Sequence, residues 1–174
     1  WMVEILLQHL KGDEQAGDTP ELPLTEDSRG PGSTADVDYW TARDVRETVK
    51  SHVNYLVADT KRWEQSAGYF IDTHPIVRCW VKNAGLGFSI PYIHNGEQHE
   101  YIPDFVVRLD TEEVRYLIIE TKGHDDLKDI KKAAAERWCN AVNANGGYGH
   151  WTYRMAMSVE AVLGILHGAA KALV

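Results

Sequence analysis

With 174 residues, 44% apolar and 25% charged, the chain is long enough for one globular domain with a real core and an appendage. No apolar run approaches the roughly 18 residues of a membrane helix, and the opening Trp1-Met2-Val3-Glu4-Ile5-Leu6-Leu7 lacks the basic region and small-residue cleavage site of a signal peptide. A net charge of −8 runs against a simple nucleic-acid binder, which usually shows a basic surface, although residues 11–38 alone hold eight Asp or Glu against two Lys or Arg.

Residues 1–10 suggest one short amphipathic helix, and a chain opening on Trp1 rather than Met reads as a piece of something longer. Residues 11–36 read as an acidic linker, punctuated by Gly12, Gly17, Pro20, Pro23, Gly30, Pro31 and Gly32. The boundary falls close to Asp36, leaving 37–174 as the folded domain. Thr41-Ala42-Arg43-Asp44 resembles a helix start, with Thr41 as N-cap and Asp44 at N3. Val45, Val49, Val53 and Leu56 follow at helical spacing, and the period runs on through Trp63, Ala67, Phe70 and Ile71 until Pro75 ends it. Pro75 opens a further short helix through Ile76, Trp80 and Val81, closed by Asn83 and Gly85.

The period then switches from 3.6 to 2. Leu86–Ile93 reads as a strand, and Asn95-Gly96 is a strong hairpin signal. Two further strands, Tyr101–Leu109 and Tyr116–Gly123, flank the polar turn Asp110–Glu113. Asp125 or Asp126 caps a helix with Leu127, Ile130, Ala134, Trp138, Ala141 and Val142 along one stripe, broken at Asn143–Gly149. Trp151–Met157 is a fourth strand, and Ser158 caps a closing helix through Val162, Ile165 and Leu166. The order is helix, three strands, helix, strand, helix, without internal repeats. Cys79 and Cys139, each expected in a helix and without metal-type spacing, read as reduced core thiols of a cytoplasmic protein.

Charge sits where plain buried strands would not carry it. Side chains alternate along a strand with a rise of about 3.3 Å, so Glu120 and Lys122 share a face roughly 6.6 Å apart. Asp104 on the neighbouring strand joins them if its register suits. Phe105-Val106-Val107 follow Asp104, and Ile118-Ile119 precede Glu120, so both acids lie in strands expected to be central. Buried unpaired acids are costly, and a divalent cation offsets that cost because hard cations take carboxylate oxygens. The bland alternative is a surface hairpin with solvated charges.

Other candidates weigh less. His94 and His99 flank the Asn-Gly turn, but their spacing matches no helical zinc pattern, and they are assigned no chemistry. Trp63, Trp80, Trp138 and Trp151 fall on apolar stripes and read as core. No Gly-x-x-x-x-Gly-Lys-Ser/Thr occurs, so the chain is not by itself an ATP-driven translocase.

Pro103-Asp104, followed sixteen residues later by Glu120-x-Lys122, resembles the PD-(D/E)xK motif of the restriction-endonuclease-like fold, and the element order matches that fold's αβββαβ core. Over residues 37–157 the resemblance is closer. Ser51-His52-Val53-Asn54, Asp59-Thr60, Trp63-Glu64-Gln65, Val81-Lys82-Asn83, Leu86-Gly87-Phe88, Ile90-Pro91-Tyr92, Tyr101-Ile102-Pro103-Asp104-Phe105, Glu120-Thr121-Lys122-Gly123 and Arg137-Trp138 look like the C-terminal nuclease part of type III restriction enzyme Res subunits. The resemblance implies an α/β domain with a four-stranded mixed sheet flanked by helices. It also implies Mg²⁺-dependent cleavage of double-stranded DNA, with Mn²⁺ as a substitute.

By the same resemblance Asp104 and Glu120 ligate the metal, the Thr121 carbonyl adds an oxygen, and Lys122 serves the attacking water. Glu64 matches the glutamate that this fold often presents from its first helix, with Glu47 as a competitor. Lys128, Lys131, Lys132 and Arg137 on the following helix suit phosphate contacts, or form a solvated basic face. Implied partners are an upstream helicase region, through which alone ATP would enter, and a methyltransferase (Mod) subunit. The alternatives are a related PD-(D/E)xK nuclease of repair or mobile-element type, and a catalytically idle DNA-binding or assembly module of the same fold.

Overall fold

The computed structural model describes residues 33–57, 63–121 and 125–171. The expected helix over 1–10, nearly all of the linker and Lys122 lie outside the described residues. A small antiparallel pair, β1 (Val45–Glu47) and β2 (Tyr55–Val57), precedes helix α1 (Trp63–Thr73). Strand β3 (Val77–Lys82) leads to a hairpin of β4 (Ile90–His94) and β5 (Glu97–Tyr101). Then come β6 (Phe105–Leu109), β7 (Arg115–Thr121), α2 (Lys128–Asn145), β8 (His150–Ala156) and α3 (Val159–Lys171).

The main sheet has the order β3-β6-β7-β8. The first three strands run antiparallel, and β8 joins β7 in parallel after the α2 crossover, so the sheet is mixed. The expected hairpin is present in register, with Phe105 opposite Ile119 and Arg108 opposite Tyr116. Both faces of the sheet are covered. On one, Phe105, Val107, Leu117 and Ile119 pack against Ala67 and Ile71 of α1 and Val162 and Leu166 of α3. On the other, Ile118 and Tyr153 pack against Ala134, Ala135 and Cys139 of α2, with Ile90 and Tyr92 of the hairpin. Strand β7 is therefore buried on both sides, which is why it reads as a continuous apolar run.

Three local expectations are overturned. Helix does not begin at Thr41; among the described residues of that stretch only Trp63–Thr73 is helical. Val45 and Val49 are exposed, and the backbone of 48–52 bonds elsewhere. The Thr48 hydroxyl donates to Val53 O at 2.6 Å, Val49 and Lys50 N–H donate to the Asp72 carboxylate, and His52 N–H donates to Trp80 O at 3.0 Å. Short polar side chains offered the chain an alternative to the helical ladder.

The expected short helix after Pro75 is strand β3, so Cys79 lies on a strand. A register shift between Val77 and Cys79 interrupts the alternation and leaves Val77 and Trp80 both buried, three residues apart. That bulge mimics a helical period. The strand expected at Leu86–Ile93 is consequently not the first of the core: it is β4, starting at Ile90, in a separate two-stranded sheet. The αβββαβ order survives because β3 takes the vacated place. Asn95 at φ 52° and Gly96 at φ 80° supply the two left-handed positions that the tight β4–β5 turn needs.

Candidate active site

The site forms where β6 begins and β7 ends. Asp104 stands just before β6, and its N–H donates to Glu120 Oε2 at 3.2 Å. The Thr121 N–H and hydroxyl donate to Asp104 Oδ2 at 2.7 and 2.5 Å. The antiparallel register that pairs Phe105 with Ile119 thus places the two acids side by side. Glu120 is 2% exposed. Burial pushes the Asp104 carboxyl above its ordinary range, the two Thr121 bonds and Lys82 oppose the shift, and the charge on Glu64 adds to it.

Two tyrosines close the site, Tyr101 from β5 and Tyr153 from β8. Tyr101 and Tyr153 hydroxyls lie 3.2 Å apart, and Tyr101 hydrogen-bonds Glu120. Burial, the Glu120 charge and these bonds drive the Tyr101 phenol far above its usual range, so it stays a neutral donor.

From the other side comes a lysine that the sequence reading did not assign chemistry. Lys82, the last residue of β3, donates to Glu64 Oε2 at 2.6 Å and to Val57 O at 2.9 Å. Next to it, Asn83 ties Asp104 to the sheet. Its N–H donates to Asp104 O at 2.8 Å, and its amide to Phe88 O at 2.7 Å and Pro103 O at 3.0 Å. The available signal was a pair of polar residues directly after buried Trp80-Val81, the pattern that singled out Glu120. It was masked by reading the segment as a helix end.

The structure thus brings Asp104, Glu120 and Thr121 into direct contact, and brings Glu64 to Lys82. Glu47 lies exposed in β1, whereas Glu64 is near enough to act on the Asp104 charge. On α2, Lys131 pairs with Asp125 at 2.9 Å and lies 6.0 Å from the Tyr101 ring centre. Lys132 faces Glu136 at 3.9 Å, Lys128 is exposed and Arg137 half-buried. His94 and His99 pack with Tyr92 in the hairpin.

Paired carboxylates with an adjacent backbone carbonyl are the hard oxygen donors that a divalent cation takes, so the Asp104–Glu120 pair fits such an ion by chemistry. Among the described residues, no group of three or more His, Cys, Asp or Glu gathers as a metal cluster. The fit is therefore of two acids, with Glu64 engaged by Lys82.

Residues 74–145 match the family model of the TnsA-like endonuclease N-terminal domain. The match runs from the residue before Pro75 to the last residue of α2, spanning Asp104, Glu120 and Lys122 but not Glu64. It supports a restriction-endonuclease-like nuclease of the PD-(D/E)xK type, and does not single out the Res subunits. The mixed four-stranded sheet with its helices is the restriction-endonuclease-like fold. No curated protein and no solved structure matches the chain. Among the described residues no helix is long and apolar enough to cross a membrane.

Proposed function

We propose that the chain is a metal-dependent DNA endonuclease domain that hydrolyses phosphodiester bonds at the junction of β6 and β7. The observation carrying this reading is the contact of Asp104 N–H with Glu120 Oε2 at 3.2 Å, on a carboxylate almost wholly withdrawn from water. Asp104 and Glu120, with the Thr121 carbonyl, are the residues that would hold Mg²⁺ or Mn²⁺. A cation bound there lowers the pKa of water and stabilises charge developing on phosphorus. Thr121 fixes the Asp104 carboxylate through two donors, Tyr101 holds Glu120, and Asn83 holds the Asp104 backbone. Lys122 is assigned to orienting the water and steadying phosphate charge.

The larger machine is open to two readings. The phrases quoted above favour a Res-like subunit working with a helicase region and a methyltransferase on double-stranded DNA. The match to a TnsA-like endonuclease favours a nuclease of that kind. Cleavage that strictly requires ATP and the methyltransferase supports the first.

The test of the nuclease reading is plasmid cleavage by the purified chain with Mg²⁺ or Mn²⁺, alongside Asp104→Ala, Glu120→Ala and Lys122→Ala, with Mn²⁺ binding followed by calorimetry. Cleavage and Mn²⁺ binding lost in Asp104→Ala and Glu120→Ala support it. No Mn²⁺ affinity in the wild type, or affinity unchanged in both variants, overturns it.

A further inference from the structure

Beside the acids lies a cleft of about 520 Å³, within the roughly 300–1,000 Å³ of small-molecule sites. One wall is Tyr39, Trp40 and Arg43; the other is Lys82, Ala84 and Gly85 at the end of β3. We infer that this cleft is a nucleotide subsite, in which the Trp40 ring stacks on an unpaired base and Arg43 meets its phosphate, next to the bond to be cut. The inference deepens the nuclease reading and rests on it for the kind of ligand.

Four observations carry it. Trp40 is fully exposed and Tyr39 is 49% exposed, although such rings usually bury about 150–250 Å². The cleft neighbours the candidate active site, because the Lys82 that lines it also holds Glu64 and acts on the Asp104 charge. No carboxylate lines it among the described residues, in a chain whose net charge is −8. Its far wall is low, since a Cβ added to Gly85 would meet nothing within 4 Å.

The segment that follows the two rings is tied to α1. Arg43 N–H donates to the Thr41 hydroxyl at 3.1 Å, the Gln65 amide reaches Asp44 O at 3.5 Å, and Arg46 covers the Tyr69 ring of α1 at 4.1 Å. An aromatic face beside a basic group is how proteins hold single strands, since every base has a π-face. A paired base within a duplex presents only its edges, so the occupant must be unstacked.

Binding of a short fluorescein-labelled single-stranded oligonucleotide, and of its duplex, is measured by anisotropy with the whole chain in EDTA. The wild type is expected to prefer the single strand. Trp40→Ala should weaken that binding at least fivefold, the low end of one lost base stack. Trp40→Phe should retain most of it, and Arg43→Gln should lower the salt slope by about one. Tyr148→Ala, an exposed ring in the loop before β8, should leave binding unchanged. Equal affinity of the wild type and Trp40→Ala, or the same loss in Tyr148→Ala, overturns the subsite. Because no cleavage is read, the two ideas fail separately. Metal-dependent cutting with binding indifferent to Trp40 sinks only the subsite. Trp40-dependent binding by a chain that neither binds Mn²⁺ nor cuts sinks only the nuclease.

Discussion

Lys82 Nζ stands 2.6 Å from Glu64 Oε2, and the two side chains are only 8% and 13% exposed. This ion pair joins the end of β3 to the first turn of α1, and its lysine also caps Val57 O at the end of β2. Three elements therefore meet at one charge beside the candidate active site.

Breaking a buried pair from one side leaves the other charge uncompensated, which costs about 3–5 kcal/mol, whereas replacing both partners with apolar groups is often near neutral. Lys82→Met should accordingly lower unfolding free energy by about that amount, measured in urea, and Lys82→Met with Glu64→Leu should recover most of it. A double variant as unstable as the single one would show that Glu64 does not depend on Lys82.

Asn83 makes a second, more specific prediction. Its amide serves two carbonyls, Phe88 O and Pro103 O, that Ala could not reach. Asn83→Ala should cost about 1–3 kcal/mol, the penalty for buried groups left unsatisfied. It should also reduce the cleavage rate more than DNA affinity, because the backbone it anchors carries Asp104. A loss below about 0.5 kcal/mol would mean that water serves those carbonyls equally well.

The contrast between Asp104 and Lys82 explains what was legible in the sequence. Asp104 and Glu120 stand out because each interrupts an unbroken apolar run, and the turn between those runs is short enough to fix an antiparallel pair. Strand β7 follows from its continuous apolar run and helix α2 from its period. Lys82 and Asn83 were hidden by the bulge between Val77 and Cys79, which spaces buried residues as a helix would. The stretch after Thr41 misled because its valines repeat at helical spacing, yet the backbone of Val49, Lys50 and His52 bonds to Asp72 and to Trp80 of β3, partners over twenty residues away. Tyr101 gave no warning, since its hydroxyl meets Tyr153 from across the whole fold.

Tyr101 donates to the buried Glu120 carboxylate, which also accepts the Asp104 N–H. Tyr101→Phe preserves the ring and removes the hydroxyl, so a stability loss of about 0.5–1.5 kcal/mol is expected for one lost hydrogen bond, Glu120 keeping the Asp104 N–H. Tyr153→Phe alone should cost less, and the double variant less than the sum of the two, because the hydroxyls are mutual partners. Strict additivity in chemical denaturation would argue that the two rings act independently.

Asp72 supplies a pH test of the segment that replaced the expected helix. Its carboxylate accepts Lys50 N–H and Trp80 Nε1–H, each at 2.8 Å to Oδ1, and Val49 N–H at 2.9 Å to Oδ2. Burial pushes the Asp72 carboxyl up, but these bonds and the Lys50 charge outweigh it and hold the group below its ordinary value of 3.8. A depressed folded pKa means that the unfolded chain binds more protons in that window. The stabilisation is therefore complete above the ordinary carboxylate value and is lost as pH falls through the lower, folded one. Thermal melts of wild type and Asp72→Asn should differ most near neutrality and converge below about pH 4. A gap constant from neutral to acid pH would show that an uncharged acceptor anchors Val49, Lys50 and Trp80 equally well, and that charge plays no part in holding this segment against the sheet.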